Sequence, residues 1–335
     1  MRLPAAFAAA IVFLLLSGCV SDGDPRIGTV ERELVVYTYD GLTSEWGLGP
    51  RIFPLFEAEC GCRVKTVAPG DVGSMMSRLI AEKASPQADV ALGIDNTFRP
   101  AAVANDLFAP YEPANAGSVG EALVDGDFRF IPFDWGYLAF VYDSEKISNP
   151  PQSLDDLLQP EFRGKFAIED ARTSSPGKVF LYWVAAEKGS STRDYLIALK
   201  RQVLTVTPGW SEAYNLFTSG EVPMVLSYST SPAYHEINEN TTKYRAAVFK
   251  RLPRQIEYVS VVKGAPHPEL AREFAEFMLS PAAQREIPLG NYMYPASTST
   301  ELPEAFAELP VPEGFVPEPA GADKWLEVWE EVFSP

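Results

Sequence analysis

The sequence predicts an α/β protein built as two lobes. Three observations lead there. The chain has 335 residues, which is about two domains at roughly 100–200 residues each. From residue 34 onward, β-rich runs alternate with helical patterns, which implies parallel strands joined by crossover helices. Hydrophobic residues make up 46% and charged residues 22%, a balance that excludes a disordered, collagen-like or multispan membrane chain.

The elements follow in order. Leu34-Val35-Val36-Tyr37-Thr38-Tyr39 reads as a strand ending at Asp40 and Gly41. Residues 51–59 read as a helix with Ile52, Leu55 and Phe56 on one face. Cys62 to Val67 is a second strand. Asp71-Val72-Gly73-Ser74 opens a helix through about Lys83, with Met75, Met76, Leu79 and Ile80 as its apolar stripe. Ala88 to Gly93 is a third strand. Tyr137 to Tyr142 is another, after a loop at Pro132-Phe133-Asp134-Trp135-Gly136. Ser153-Leu154-Asp155-Asp156 reads as a capping box on a short helix. Ser175-Pro176 reads as N-cap and first residue of a helix through about Glu187. Ser211 to Ser219 is a helix stopped by Gly220, and Pro223 to Ser227 a buried strand. Pro268 to Leu279 is a helix with Leu270, Phe274, Phe277 and Met278 inward, ended by Ser280-Pro281. Glu301 to Ala320 is rich in proline, and Ala322 to Phe333 is a last amphipathic helix.

The first twenty residues read as an address. Arg2 is a short positive region, and Ala5 to Leu16 an apolar one. That run is shorter than the roughly 20 residues a bilayer span needs, yet it suits an export signal. Leu16-Ser17-Gly18-Cys19 is similar to the lipobox of bacterial lipoproteins, which implies removal of residues 1–18 and a lipid on Cys19. Ser21 to Gly28 then forms a polar tether. The expected location is the periplasm or the cell surface, with a lipid anchor in a membrane. Outside the cytoplasm, Cys60-Gly61-Cys62 can close as a disulfide or stand as two small buried residues.

The net charge is −17, a poor match to nucleic-acid phosphates. The chain has two His, His235 and His267, too few for a histidine-rich metal site. There is no GxSxG elbow, GxxxxGK[ST] loop or HExxH, and Ile52 stands where a dinucleotide loop after Gly47 and Gly49 needs its third glycine. No catalytic or metal-binding residue is assigned, and no cofactor is expected. An exported two-lobed α/β chain has the build of a solute receptor, its ligand held between lobes that close on a hinge.

Aromatics stand where such a ligand would lie, at strand ends and helix starts. They are Tyr39, Trp210, Tyr228, Tyr234, Tyr292 and Tyr294. Each alone fits core packing; together they fit a cleft for a flat or cationic ligand. Asp71-Val72 and Thr173-Ser174-Ser175 add helix starts that serve either as caps or as sites for a phosphate or hydroxyl oxygen. Candidate carboxylates are Asp71, Asp134 and Glu257, the last two with structural hydrogen bonds as the alternative.

Several segments carry a resemblance. They are Val36 to Asp40, Pro132 to Tyr137, Arg172-Thr173-Ser174-Ser175-Pro176-Gly177, Gly209-Trp210-Ser211-Glu212-Ala213-Tyr214, Leu226 to His235 and Ile287 to Pro295. In that order, with few gaps from about Leu34 to Pro295, the chain resembles the thiamine-binding receptors of bacterial ABC importers. The resemblance implies a type II periplasmic-binding-protein fold, each lobe a mixed sheet flanked by helices. The expected layout is a signal at 1–18 and a lipidated tether at 19–33. Residues 34–132 with 252–310 form the N-terminal lobe and 133–251 the C-terminal lobe, followed by a Pro-rich segment and helix at 311–335. It implies thiamine between the lobes, with Tyr39, Trp210 and Tyr234 flanking its rings and Asp71 and Val72 in a contacting turn. Ser174 and Ser175 would meet the hydroxyethyl or phosphate end. Tyr228, Ser229, Thr230 and Ser231 form a further contact stretch, and Tyr292 stands where that family has a Trp. Cys60-Gly61-Cys62 has a counterpart there. Implied partners are thiamine, its monophosphate or diphosphate, an ABC permease with its ATPase subunit, and a membrane by the lipid anchor; the protein would be a monomer. The alternatives are a receptor for a polyamine or, without a Tyr-Tyr pair, for ferric iron, and a secreted thiamine-degrading enzyme with a Cys nucleophile.

The physics suits a thiamine-like guest. A thiazolium has a fixed positive charge and no N–H to donate, so aromatic faces and a nearby carboxylate hold it better than a salt-bridge fork. An aminopyrimidine is flat and offers donors and acceptors to Ser, Thr and backbone groups.

Overall fold

A computed structural model describes residues 32–123, 126–317 and 321–334. The signal, Cys19 and most of the tether lie outside the described residues. The chain begins with β1 (Glu33–Tyr37), α1 (Asp40–Thr43), α2 (Gly49–Cys60), β2 (Arg63–Val67), α3 (Val72–Ala81) and β3 (Val90–Asp95). Then come α4 (Arg99–Ala104), β4 (Phe108–Ala109), β5 (Ile131–Asp143), β6 (Phe166–Glu169), α5 (Ser175–Lys188) and α6 (Thr192–Lys200). They are followed by β7 (Thr205–Thr207), α7 (Trp210–Thr218), β8 (Met224–Tyr228), α8 (Ser231–Glu239), β9 (Tyr244–Ala247) and β10 (Arg251–Val262). The last are α9 (Pro268–Met278), α10 (Pro281–Gln284), α11 (Ile287–Gly290), β11 (Tyr294–Pro295), β12 (Glu313–Phe315) and α12 (Ala322–Phe333).

The main strand order is β2-β1-β3-β10-β5-β8-β6-β7. β1 runs parallel to β2 and β3, and β6 parallel to β7 and β8. Between these parallel blocks, β10 and β5 pair antiparallel with each other and with their outer neighbours β3 and β8. Each long strand serves two cores. Ile131 and Phe133 of β5 belong to the first core, while Leu138 and Phe140 belong to the second. Val259 of β10 lies in the first and Leu252 in the second. The α/β, two-lobed expectation therefore holds, with the lobes joined by strands that cross.

Several local expectations need correction. Pro132 to Gly136 is not a loop but the first half of β5. The apolar stripes are narrower than read: Leu55 is 42% and Ile80 38% exposed. Ser153 Oγ accepts from Asp156 N–H at 3.2 Å, but the segment is a 3-10 turn whose N-cap is Asp155. Helix α5 has Ser174, not Ser175, as its N-cap. Ser280-Pro281 ends α9 and also caps α10, with Ser280 Oγ accepting from Ala283 N–H. Strand β1 stops at Tyr37 rather than Tyr39, and β10 was not foreseen.

Cys60 and Cys62 are joined by a disulfide, with Cα atoms 5.2 Å apart. Gly61 between them has φ +60°, the left-handed conformation that glycine adopts most readily, and its N–H donates to Glu57 O to close α2. Helix α12 returns to the second core. Trp329 is fully buried, stacks on Phe333 at 4.2 Å, and donates its indole N–H to Asp170 Oδ1 at 3.0 Å. Trp329→Ala removes that packing and leaves a cavity, so a loss of about 3–5 kcal/mol is expected. Thermal and urea unfolding of the variant measure it.

Candidate functional site

The carboxyl ends of the strands and the starts of the helices surround a cavity of about 260 Å³. Its walls are aromatic: Tyr39, Trp46, Trp210, Tyr214, Tyr228, Tyr234 and Tyr292. Its charged lining is acidic: Asp40, Asp71, Glu239 and Glu257. No Lys, Arg or His lines it among the described residues.

Tyr39 caps the short helix α1 and lies over Gly93. A Cβ at Gly93 would come within 2.4 Å of the Tyr39 ring, and φ +98° there already favours glycine. The Tyr39 hydroxyl lies 3.1 Å from both Glu257 Oε2 and Asn291 Oδ1. Asp71 is the N-cap of α3, accepting from Val72 N–H at 2.6 Å. Its other oxygen accepts from Trp210 N–H at 3.2 Å, which ties the start of α3 to the start of α7. Burial pushes the Asp71 carboxyl up to about 6, against the opposing pull of these N–H groups.

Trp210 stacks on Tyr214 with ring centres 4.5 Å apart and donates its indole N–H to Ser227 Oγ at 2.9 Å. Behind it, Tyr214 Oη meets His235 Nε2 at 2.9 Å, and His235 Nδ1 meets Glu239 at 2.8 Å. With Nδ1–H donated to the carboxylate, Nε2 accepts from the tyrosine; burial, which lowers the His235 pKa, favours this neutral form. Sequence reasoning left His235 without a role; the structure gives it one in bracing the Trp210 wall.

The cavity brings together Tyr39, Asp71, Val72, Ser175, Trp210, Tyr228, Ser231, Tyr234 and Tyr292 of the expected site residues. Ser174, Ser229 and Thr230 are fully buried and do not line it. Ser174 lies against Asp71. The hydroxyls of Ser175, Ser229 and Thr230 are buried without a protein hydrogen-bond partner. Of the candidate carboxylates, Glu257 lines the cavity and Asp134 lies behind it, accepting from Asn291 Nδ2 at 2.6 Å. Tyr294 turns away and stacks on Trp135 at 4.7 Å. Trp46 was missed. It is 41% exposed and packs at 5.6 Å from Trp210, but it follows a helix too short to show a period.

The family described as bacterial extracellular solute-binding protein matches residues 85–314. The chain belongs to that family. This solute-binding protein is 41% identical over 311 residues to the "Thiamine-binding periplasmic protein" of Salmonella typhimurium, covering 90% of this chain and 93% of that one. It is 44% identical over 287 residues to a protein of the same description from Brucella melitensis, covering 84% of each. A solved "Periplasmic thiamin binding protein" superposes with a TM-score of 0.85 at 40% identity, covering 93% of this chain and 99% of that one. The two-lobed fold is thus that of the periplasmic binding proteins.

Hydrogen bonds join the two sides of the cleft in this structure. Gly73 N–H of α3 donates to Thr173 O at 2.9 Å, and Asn238 Nδ2 of α8 donates to Tyr292 Oη at 2.8 Å. A Cβ at Gly73 would lie 2.6 Å from Arg172 O and 2.7 Å from Thr173 Cα. Gly73→Ala is therefore expected to hold the lobes apart. Small-angle scattering should show a larger radius for the variant with saturating ligand, and its Kd should rise at least about tenfold, ~1.4 kcal/mol.

Proposed function

We propose that this solute-binding protein is an extracytoplasmic receptor that closes over thiamine and delivers it to an ABC permease and its ATPase subunit. The observation that carries this is a cavity walled by aromatic rings and charged, among the described residues, by carboxylates alone. Relatives described as thiamine-binding, at 41% and 44% identity over most of the chain, support the same guest.

The residues divide the work by chemistry. Tyr39, Trp210 and Tyr234 offer ring faces to the thiazolium and the aminopyrimidine, each cation–π or stacking contact worth roughly 0.5–2 kcal/mol. Asp71 supplies negative charge in a desolvated place, where it acts more strongly than in water. Tyr228, Ser231 and Asn291 offer donors and acceptors to the pyrimidine edge. The start of α5 gives free N–H groups and the unpartnered Ser175 hydroxyl to the hydroxyethyl end. The same groups suit thiamine monophosphate or diphosphate. No residue is given a catalytic role: the reading is binding and release. Residues 1–18 would direct export, as the periplasmic relatives support, and a lipid on Cys19 would anchor a monomer to the membrane.

Calorimetric titration with thiamine tests the reading, with spermidine and ferric citrate as controls. Saturable binding of thiamine alone is expected; binding of spermidine alone overturns it. Trp210→Ala should weaken thiamine at least about tenfold, ~1.4 kcal/mol, with the fold intact by circular dichroism. Asp71→Asn should also raise the Kd, since the guest keeps its charge and the wall loses its own.

A further inference from the structure

The crossing strands carry a set of acids that the aromatic box does not explain. Glu257 of β10 is paired in register with Asp95 of β3 on one side and with Asp134 of β5 on the other. Directly opposed residues on one face of a sheet bring their side chains together. All three are buried. Asp95 has its own compensation in Thr97, whose hydroxyl donates to it at 2.6 Å, and in the nearby Lys178 charge. The partners of Glu257 are neutral: Tyr39 and Asn291 on Oε2, and Gln255 on Oε1 at 3.4 Å. Asp134 Oδ2 accepts from Asn291, while Asp134 Oδ1 is buried without a partner. The two carboxyl groups lie within hydrogen-bonding reach of each other. Oδ1 of Asp134 is thus the acceptor left for an O–H on Glu257. Among the described residues no group of three or more acids, His or Cys is placed to hold a metal ion.

We infer that Asp134 and Glu257 share one proton in the ligand-free receptor and give it up when a cation enters, so that the cleft makes its counter-charge on demand. This rests on the thiamine reading above. The step balances: a hydrogen-bonded acid–carboxylate pair of charge −1 takes in a thiazolium of charge +1, becomes a dicarboxylate of charge −2, and releases the proton to solvent. Burial, with like charge from Asp134 and Asp95, holds the Glu257 carboxyl well above the usual range; burial raises Asp134 as well. Such a pair titrates as a unit. The other titratable groups facing it are Tyr39 from the β1–α1 turn and Tyr228 from β8, both raised by burial and neutral, and Asp95 from β3. A cation at Glu257 lowers the pair's upper pKa, so affinity rises with pH until the free pair has ionised. The pair then selects by charge: a neutral guest of the same shape draws out no proton and gains no counter-charge.

Thiamine is titrated at pH 7.5 in phosphate and in Tris, buffers with different heats of ionisation. Asp71, with its pKa about 6, is already ionised there. The apparent enthalpies should differ by the release of up to about one proton per thiamine, and the Kd should fall by up to about tenfold per pH unit around pH 7.5, where Asp71 no longer titrates. The neutral hydroxymethyl-aminopyrimidine half of thiamine should release none. Glu257→Gln and Asp134→Asn should each abolish the buffer dependence while leaving measurable binding. Equal heats in both buffers with tight thiamine binding overturn the proton linkage alone. So does release that persists in both variants. No binding of thiamine at all overturns the functional reading, and this inference with it. If either variant fails to fold, the two-buffer comparison on the native chain still decides.

Discussion

Antiparallel pairing of β5 with β10 is the constraint on which the rest of the molecule depends. Each strand leaves one core and enters the other, so the pair is both the floor of the cleft and the central pairing between the parallel blocks in the main strand order. The pairing also fixes chemistry. Its register sets Asp134 against Glu257, and the β3 register sets Asp95 on the far side. A slip of one residue would turn these side chains to the opposite face and replace a buried polar floor with an apolar one. The register of β10 shifts between Glu257 and Tyr258 against β5 and between Tyr258 and Val259 against β3, right beside the carboxyl pair.

Above that floor the walls follow from desolvation. Water is displaced as the lobes meet, so a carboxylate there must find donors, share a proton or meet a cation. Asp71 finds the N–H groups of Val72 and Trp210, one from each side of the cleft. The aromatic rings bear no such cost, and they are braced in turn: Trp210 by Tyr214, Tyr214 by His235, and His235 by Glu239. A wall braced in this way loses little side-chain entropy when a guest arrives.

Much of this was legible in the sequence. Strong periods point to α3 and α9, and the β-rich run from Leu34 to Tyr39 points to β1. Aromatics at strand ends pointed to the cleft. What stayed hidden has a physical reason. β10 carries Arg, Pro, Gln and Glu in a run that lacks the look of a buried strand, because its polar residues are buried for the site: Gln255 and Ser260 are fully covered. Pro132 and Gly136 have the look of loop residues; Gly136 instead leaves room for the end of the Met293 side chain, whose Sδ would lie 2.7 Å from a Cβ there. Trp46 and Asn291 gain their places from contacts made by chain segments far apart, which no local pattern reports. Ser229 and Thr230 came from the family resemblance, and they lie beneath the lining.

The bonds that close the cleft are made between protein groups: Gly73 to Thr173, Asp71 to Trp210, and Asn238 to Tyr292. They have a kinetic consequence. Each must break before the lobes part, whatever lies between them. The dwell time of any guest therefore has a floor set by the latch, and differences between guests add to that floor. A transporter that pries at these three points could empty the receptor without touching the guest.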